Sequence, residues 1–484
     1  MAAKFAKVES KTTSFETYLA AVGHAVFAIL TFMAAWFWQE RTLILDAAFQ
    51  SYLFVADGGP AIMVERFGAA AVQFLPLMGV WAGASLKSVL LLYSVSFVLF
   101  HWTFFSVCLH VLKDKKAALA ILLFNVLLVG DSFYWMQNEL LQAIALMFAL
   151  WSLWMRRGDW SQFTKSDWVL SLLLATTVAY YHPLVFFPLA FIWCFVWLHP
   201  IRLISKRTLL GIAALFALIF SSKYIFRQPN FYDRGMTGQY VREFNFSLEK
   251  LLASNSLRDF LAHLDDNLFL LLPLLVLVAG FYIWKKRWWV AMLVPGAMLF
   301  YCLLIMQRFL ADDRWYIQES HYQALAVFLI VPLVWDILPE IISKFLKLGN
   351  YLVLLMAIFL IIRLVGIWNT HKSYTARLVY VQGLLEKTKK MEGRKFVIGY
   401  EQADRKTLMM YWGLPYETLQ MSALESPDSV RVIAIAENAD SLAALLPMDS
   451  MTTFLMIARK SFHDLPPNYY RMTDALPYRV VRLK

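Results

Sequence analysis

A single carboxylate, Asp46, stands in the stretch TLILDAAFQSYLF shortly after the first long apolar run. Ionisable groups near membrane depth are costly and point to function by default. A carboxylate packed among Leu, Ile, Phe and Tyr has either a raised pKa or a partner, and both suit a general base. The same residue type also favours the cap of a short helix, so catalysis and capping both stand. A second acidic stretch, GDSFYWMQNELLQ, sets Asp131 and Glu139 eight residues apart with aromatics between them. Glu139 falls at the start of the next apolar helix, where the helix dipole would stabilise it even without a catalytic role. His182, followed by Pro183 in TTVAYYHPLVFFPLAF, marks a tight turn between two apolar runs. An imidazole there serves as an interfacial structural group or meets a ligand headgroup. The stretch QRFLADDRWYIQESHY gathers Arg308, Asp312, Asp313, Arg314, Glu319 and His321. Arginine suits bidentate phosphate recognition, with ion pairing to the aspartates as the alternative. Lys223, Arg227, Arg234 and Arg242 add cations in another loop, and together these groups read as a surface for an anionic ligand.

The elements that must carry these residues are membrane spans. The chain has 484 residues, 60% hydrophobic and 16% charged, with mean hydropathy +0.56, outside the balance of soluble domains. A net charge of +11 raises the question of nucleic acid. The Lys and Arg residues sit in short clusters between apolar runs, not along one basic face with interleaved aromatics, so no nucleic-acid partner is expected. The three cysteines, Cys108, Cys194 and Cys302, fall inside apolar runs as small hydrophobes. About 20 apolar residues in a helix cross a bilayer. Roughly eleven runs approach that length, near 18–38, 86–112, 117–130, 138–155, 168–182, 184–199, 208–222, 267–284, 288–305, 320–338 and 351–368. The first is too long for a cleavable signal and lacks a small-residue cleavage site, so it is expected to remain as a span.

Positive residues in short loops favour the cytoplasm. Lys4, Lys7 and Lys11 place the N-terminus there, and Lys113, Arg156, Arg202, Lys285 and Lys344 with their basic neighbours fall on the same side. The alternation is consistent only if residues 60–83, which contain Pro76 and several glycines, lie along the outer interface without crossing. The expected fold is a polytopic α-helical membrane protein, with residues 1–371 in the membrane region. Residues 372–484 are more polar and read as a small extracytoplasmic α/β domain. KFVIGY, VRVIAIAE, TTFLMIA and YRVVRL are its strands, and residues 373–391 form an amphipathic helix leading in.

An inside N-terminus, an acid in the first outer loop, juxtamembrane helices there, a second acidic outer loop and about eleven spans form an ordered set. With a C-terminal outer domain, that order resembles the GT-C superfamily of integral-membrane glycosyltransferases, which includes protein mannosyltransferases and lipid A aminoarabinose transferases. The resemblance implies a polyprenyl-phosphate sugar as donor and a lipid, glycan or protein as acceptor, at the outer face of a bacterial inner membrane. Asp46 in LILDAAFQ matches the first-loop catalytic acid, and Asp131 and Glu139 match the second acidic loop. Arg66, in the juxtamembrane VERFGAAAVQFLP, joins His182, Arg308, Arg314 and His321 as expected contacts to the donor and its phosphate. Several family members carry paired acids in the first loop. Here Asp46 stands alone, with Asp57 and Glu65 following, whereas a dication wants two or more oxygen ligands. A metal-independent, inverting transfer is therefore expected, with no cofactor. A secondary transporter is the first alternative, disfavoured by near-absence of mid-span charge and of repeated halves. An O-antigen polymerase or ligase and a non-enzymatic scaffold are the others.

Overall fold

The computed structural model describes residues 2–201, 203–223, 247–308, 315–344, 349–446, 449–451, 460–472 and 476–482. The chain is a helical membrane protein. Among the described residues, five helical stretches are long and apolar enough to cross a bilayer: Tyr18–Trp36, Leu86–Val111, Trp288–Arg308, Gln318–Lys344 and Leu354–Lys389. Shorter apolar helices cover Phe67–Trp81, Pro183–Leu198 and Leu271–Trp284.

The first half runs α1 (Ala2–Trp36), α2 (Trp38–Thr42), α3 (Leu45–Asp57), α4 (Ala70–Trp81), α5 (Leu86–Ser106), α6 (Lys115–Phe124), α7 (Asp131–Tyr134) and α8 (Glu139–Arg157). Next come α9 (Lys165–Ala179), α10 (Phe186–Leu198), α11 (Lys206–Ser221), α12 (Leu271–Trp284), α13 (Trp288–Arg308) and α14 (Trp315–Tyr322). Every expected span overlaps a helix, but several helices are short. The 15 residues of α9 reach about 22 Å, less than the hydrocarbon thickness of about 30 Å. In the expected span 117–130, α6 already ends at Phe124, with Asn125 as its C-cap. Residues 60–83 form a turn and the 12-residue α4, which packs on α5.

Helix α8 explains where the core lies. It is buried on every side from Glu139 to Trp154, as an apolar helix at the centre of a bundle must be. Its neighbours include α5, α6 and α9. The stretch Gln318–Lys344 is interrupted by Pro332 and a π-turn at Leu333–Ile337, because proline removes one hydrogen bond of the helical ladder.

The last span and the helix expected after it are one element, α15 (Gly349–Lys389), 41 residues long. No proline interrupts it, and isolated glycines such as Gly366 and Gly383 cost only about 1 kcal/mol each in a helix. Beyond it lie β1 (Lys395–Gly399), α16 (Leu414–Ala423), β2 (Val432–Ala436), β3 (Ser450–Met451), β4 (Lys460–Ser461) and β5 (Arg479–Val481). Strand β1 is central in a parallel sheet of order β2-β1-β5, with Phe396 opposite both Ile433 and Arg479. All five β1 residues are buried, in keeping with the continuous apolar run of a covered parallel strand. Strands β3 and β4 pair antiparallel, and the expected strand TTFLMIA at 452–458 lies outside the described residues.

Candidate functional site

Asp46 lies in the first turn of α3 and is half-buried. It is not the cap. Ile44 holds that position, in extended conformation and without a side-chain capping bond. Helix α3 then runs to Asp57 and stops at Gly58, whose φ of 64° suits the left-handed C-cap. The loop leading away is pinned by Gln73 of α4, fully buried, which accepts from Ala61 N at 2.7 Å and donates to Ala61 O at 3.0 Å. Val64 and Glu65 follow with φ of 44° and 63°, a conformation that is strained for a β-branched residue. This turn presents Arg66.

The Arg66 guanidinium meets Glu139, with Nη1 at 2.9 Å from Oε2 and side-chain exposures of 15% and 5%. Glu139 is the first residue of α8, as its place in the sequence suggests, but Asn138 supplies the capping oxygen, accepting from Leu140 N at 2.9 Å. Gln137 donates to the other Glu139 oxygen at 3.3 Å. One turn further along α8, the buried Gln142 Oε1 has no hydrogen-bond partner among the described residues. The Tyr181 hydroxyl is likewise buried and unpartnered, and its ring lies against Gly68, where a β-carbon would come within 2.3 Å of it. Tyr93 of α5 lies within electrostatic reach of both Glu139 and Asp46, which brings the first-loop acid and the α8 acid around one side chain. Its hydroxyl donates to Gln50 of α3.

Arg66, Lys223 and a second imidazole surround His182 electrostatically. His182 begins a short 3-10 turn, its Nδ1 accepting from Leu184 N at 3.2 Å, and its ring stands 6.0 Å from that of His321 on α14. Burial first, then the charges of Arg66, His321 and Lys223, hold the His182 imidazole well below its usual range. It is neutral at pH 7. Lys223 is buried, donating to Ala179 O at 3.1 Å and standing 4.8 Å from the Tyr180 ring centre. Arg66 and Lys223 thus set a positive field around the His182 and His321 imidazoles, with Glu139 paired to Arg66 as the anionic member.

Asp131 belongs to a different constellation. It opens α7, and its carboxylate is 3.5 Å from Asn267 Nδ2. The same amide donates to Glu319 at 2.8 Å. Glu319 is fully buried and accepts from Gly130 N, Asp131 N, Ser132 N and Ser132 Oγ at 2.8–3.0 Å. It is the clasp that shapes the turn at 130–132. Burial, reinforced by the neighbouring Glu319 carboxylate, holds the Asp131 carboxyl well above the usual carboxylate range.

Arg308 ends α13 and is half-buried; Arg314, Asp312 and Asp313 lie outside the described residues, as do Arg227, Arg234 and Arg242. Among the described residues, no three His, Cys, Asp or Glu side chains converge as metal ligands.

Several residues that hold the site left little trace in the sequence. Arg41, fully buried, donates from Nε to Ser94 Oγ at 2.9 Å and from Nη1 to Phe133 O, joining α2 to α5 and α7. An arginine immediately after a span reads as an interfacial anchor, not as a core residue. Tyr93, Tyr181 and Gln142 sit in apolar runs where nothing distinguishes them from packing residues. No protein-family model, curated protein or solved structure matches this chain.

Proposed function

We propose that the protein is a membrane glycosyltransferase that moves a sugar from a polyprenyl-phosphate donor to a hydroxyl of a lipid, glycan or protein acceptor. The observation that carries this reading is the Arg66–Glu139 ion pair beside His182, His321 and Lys223, with Asp46 and Glu139 both acting electrostatically on Tyr93. A half-buried acid and a concentrated positive field are the two groups needed for attack by a hydroxyl on a carbon whose leaving group is an anion. Asp46 takes the acceptor proton as that oxygen attacks the anomeric carbon. The bond from that carbon to the phosphate oxygen breaks, with inversion. Arg66 and Lys223 hold the departing phosphate charge, and neutral His182 contributes a hydrogen bond without adding to the like-charge crowding. The leaving group is already a phosphate, so no strong general acid is required. Glu139, Gln142 and Tyr181 offer polar atoms for sugar hydroxyls, two of them with unmet hydrogen-bonding capacity. Asp131 lies in the turn that Glu319 clasps, and its role on this reading is to shape that turn.

On this reading the chain crosses the membrane about eleven times with its N-terminus in the cytoplasm. The site and the β-sheet region then face the outer side of a bacterial inner membrane. The test is transfer of label from a panel of radiolabelled polyprenyl-phosphate sugars to lipid, glycan and protein fractions, using membranes with the wild-type protein and with Asp46→Asn. Transfer that the substitution abolishes in a folded protein is the expected result. Equal transfer by both would end the role of Asp46, and absence of transfer with every donor would end the transferase reading.

A further inference from the structure

Leu45, the residue before Asp46, has φ of 46° and is fully buried. Left-handed backbone at a leucine persists only where its surroundings over-determine it, and such strain gathers at functional sites. The surroundings come from the C-terminal region. Leu45 N donates to Glu417 Oε1 of α16 at 2.9 Å. Gly413 backs the same residue so closely that a β-carbon there would stand 2.8 Å from Leu45 Cα. Further along α3, Gln420 donates to Ala48 O at 2.6 Å and accepts from Ser51 Oγ at 3.0 Å. Glu417 is itself fixed by Arg377 of α15, with Nη2 to Oε1 at 2.6 Å and Nε to Oε2 at 3.1 Å, both side chains fully buried. A lone charge there would be strongly destabilising, so each member of the pair holds the other in place.

We infer that Glu417, clamped by Arg377, is a positioning residue for Asp46, and that α16 is a working part of the transfer site. Its bond to Leu45 sets the backbone turn from which the Asp46 carboxylate projects, and Gly413 leaves room for that turn. The consequence for turnover rests on the transferase reading, whereas the backbone consequence does not.

Single substitutions at the pair would leave a buried charge alone, so the test uses neutral pairs in the full-length protein. Arg377→Met/Glu417→Met fills the space but removes the acceptor for Leu45 N. Arg377→Gln/Glu417→Gln keeps an acceptor oxygen, with one amide bonded to the other. Hydrogen exchange of the peptide containing Leu45 and Asp46 is measured together with kcat and the donor KM. For the methionine pair, exchange should quicken and kcat fall, each by about tenfold or more, a kcat loss equivalent to about 1.4 kcal/mol. KM should stay within about twofold, because a displaced base weakens the transition state and not donor binding. The glutamine pair should recover both. Gly413→Ala, whose β-carbon would press on Leu45 Cα at 2.8 Å and meet Glu417 Oε1 at an ordinary contact distance of 3.4 Å, leaves both charges in place and should reproduce the kcat-selective loss. Wild-type exchange and kcat in the methionine pair, or a glutamine pair as impaired as the methionine pair, would overturn the inference. Should the wild type transfer nothing, the transferase reading fails by itself, and the exchange comparison alone decides whether Glu417 sets the backbone at Asp46.

Discussion

Glu139 and a donor phosphate compete for the same guanidinium, and this gives a prediction of unusual sign. In Glu139→Gln the 2.9 Å ion pair with Arg66 becomes a neutral contact. A hydrogen bond to a charged group contributes about 1.5–3 kcal/mol. Arg66 keeps 15% exposure, so the lower half of that range applies. Freeing the guanidinium of this rival should therefore tighten binding of polyprenyl phosphate by about 1.5–2 kcal/mol, or roughly 10- to 30-fold in Kd. The same substitution should lower kcat, because Glu139 no longer orients the substrate hydroxyls. Arg66→Met is the opposite case. It removes the phosphate contact and leaves Glu139 unpaired at 5% exposure, so Kd should weaken while folding loses about 3 kcal/mol. Titration of purified protein with polyprenyl phosphate, followed by intrinsic fluorescence, reads both. Unchanged or weaker binding in Glu139→Gln would show that the Arg66 cluster is not where the phosphate sits.

The other expectations concern protons and space. Asp131 has a folded-state pKa raised by burial and Glu319, so its contribution to stability is complete below the unfolded value and is lost as pH rises through the folded one. Asp131→Asn should therefore gain thermal stability relative to the wild type as pH rises from about 4 towards 8, and keep transfer within about threefold; a stability difference independent of pH would refute this. The His182 pKa is lowered, so the unfolded chain protonates first and stability declines as pH falls below about 6.5. Bound phosphate offsets the Arg66 and Lys223 charges and raises that pKa, so binding near pH 6 should take up a proton, visible as a buffer-dependent heat in calorimetry. Gly68→Ala places a β-carbon 2.3 Å from the Tyr181 ring, so it should displace the residue next to His182 and depress transfer, at a stability cost of about 1–3 kcal/mol; normal transfer would remove Tyr181 from the site.

The membrane class and the positions of the helices were legible because apolar runs and basic clusters are properties of contiguous sequence. The strands at 395–399, 432–436 and 479–481 were legible for the same reason, as apolar runs bounded by polar turns. Pairings between distant segments were not. Arg66 and Glu139 each stand out as charged residues in apolar surroundings, but their contact joins residues 73 apart in the chain. Asp131 and Glu139 looked equivalent as acids flanking aromatics. What separates them is their partners: Glu139 pairs with Arg66, whereas Asp131 sits in the turn clasped by Glu319, which arrives from another helix. Leu45, Gly413 and Glu417 carry no local signal, since a leucine in a left-handed turn depends on what packs around it.

The distribution of buried charge around the first loop follows one logic. Glu40 accepts from Thr375 at 2.8 Å, Arg41 is bound to Ser94 and Phe133, Leu45 to Glu417, and Ser51 to Gln420. Four residues flanking Asp46 are thus tied to α5, α7, α15 and α16, although burying Arg41, Arg377 and Glu417 adds little net stability compared with well-packed apolar residues. What such groups supply is direction, because a bidentate guanidinium fixes angle as well as distance. A base that must meet an acceptor hydroxyl within a few tenths of an ångström needs that directionality more than the loop needs stability. The backbone that carries Asp46 is accordingly held from several distant elements, and changes to these anchors should alter turnover before they alter folding.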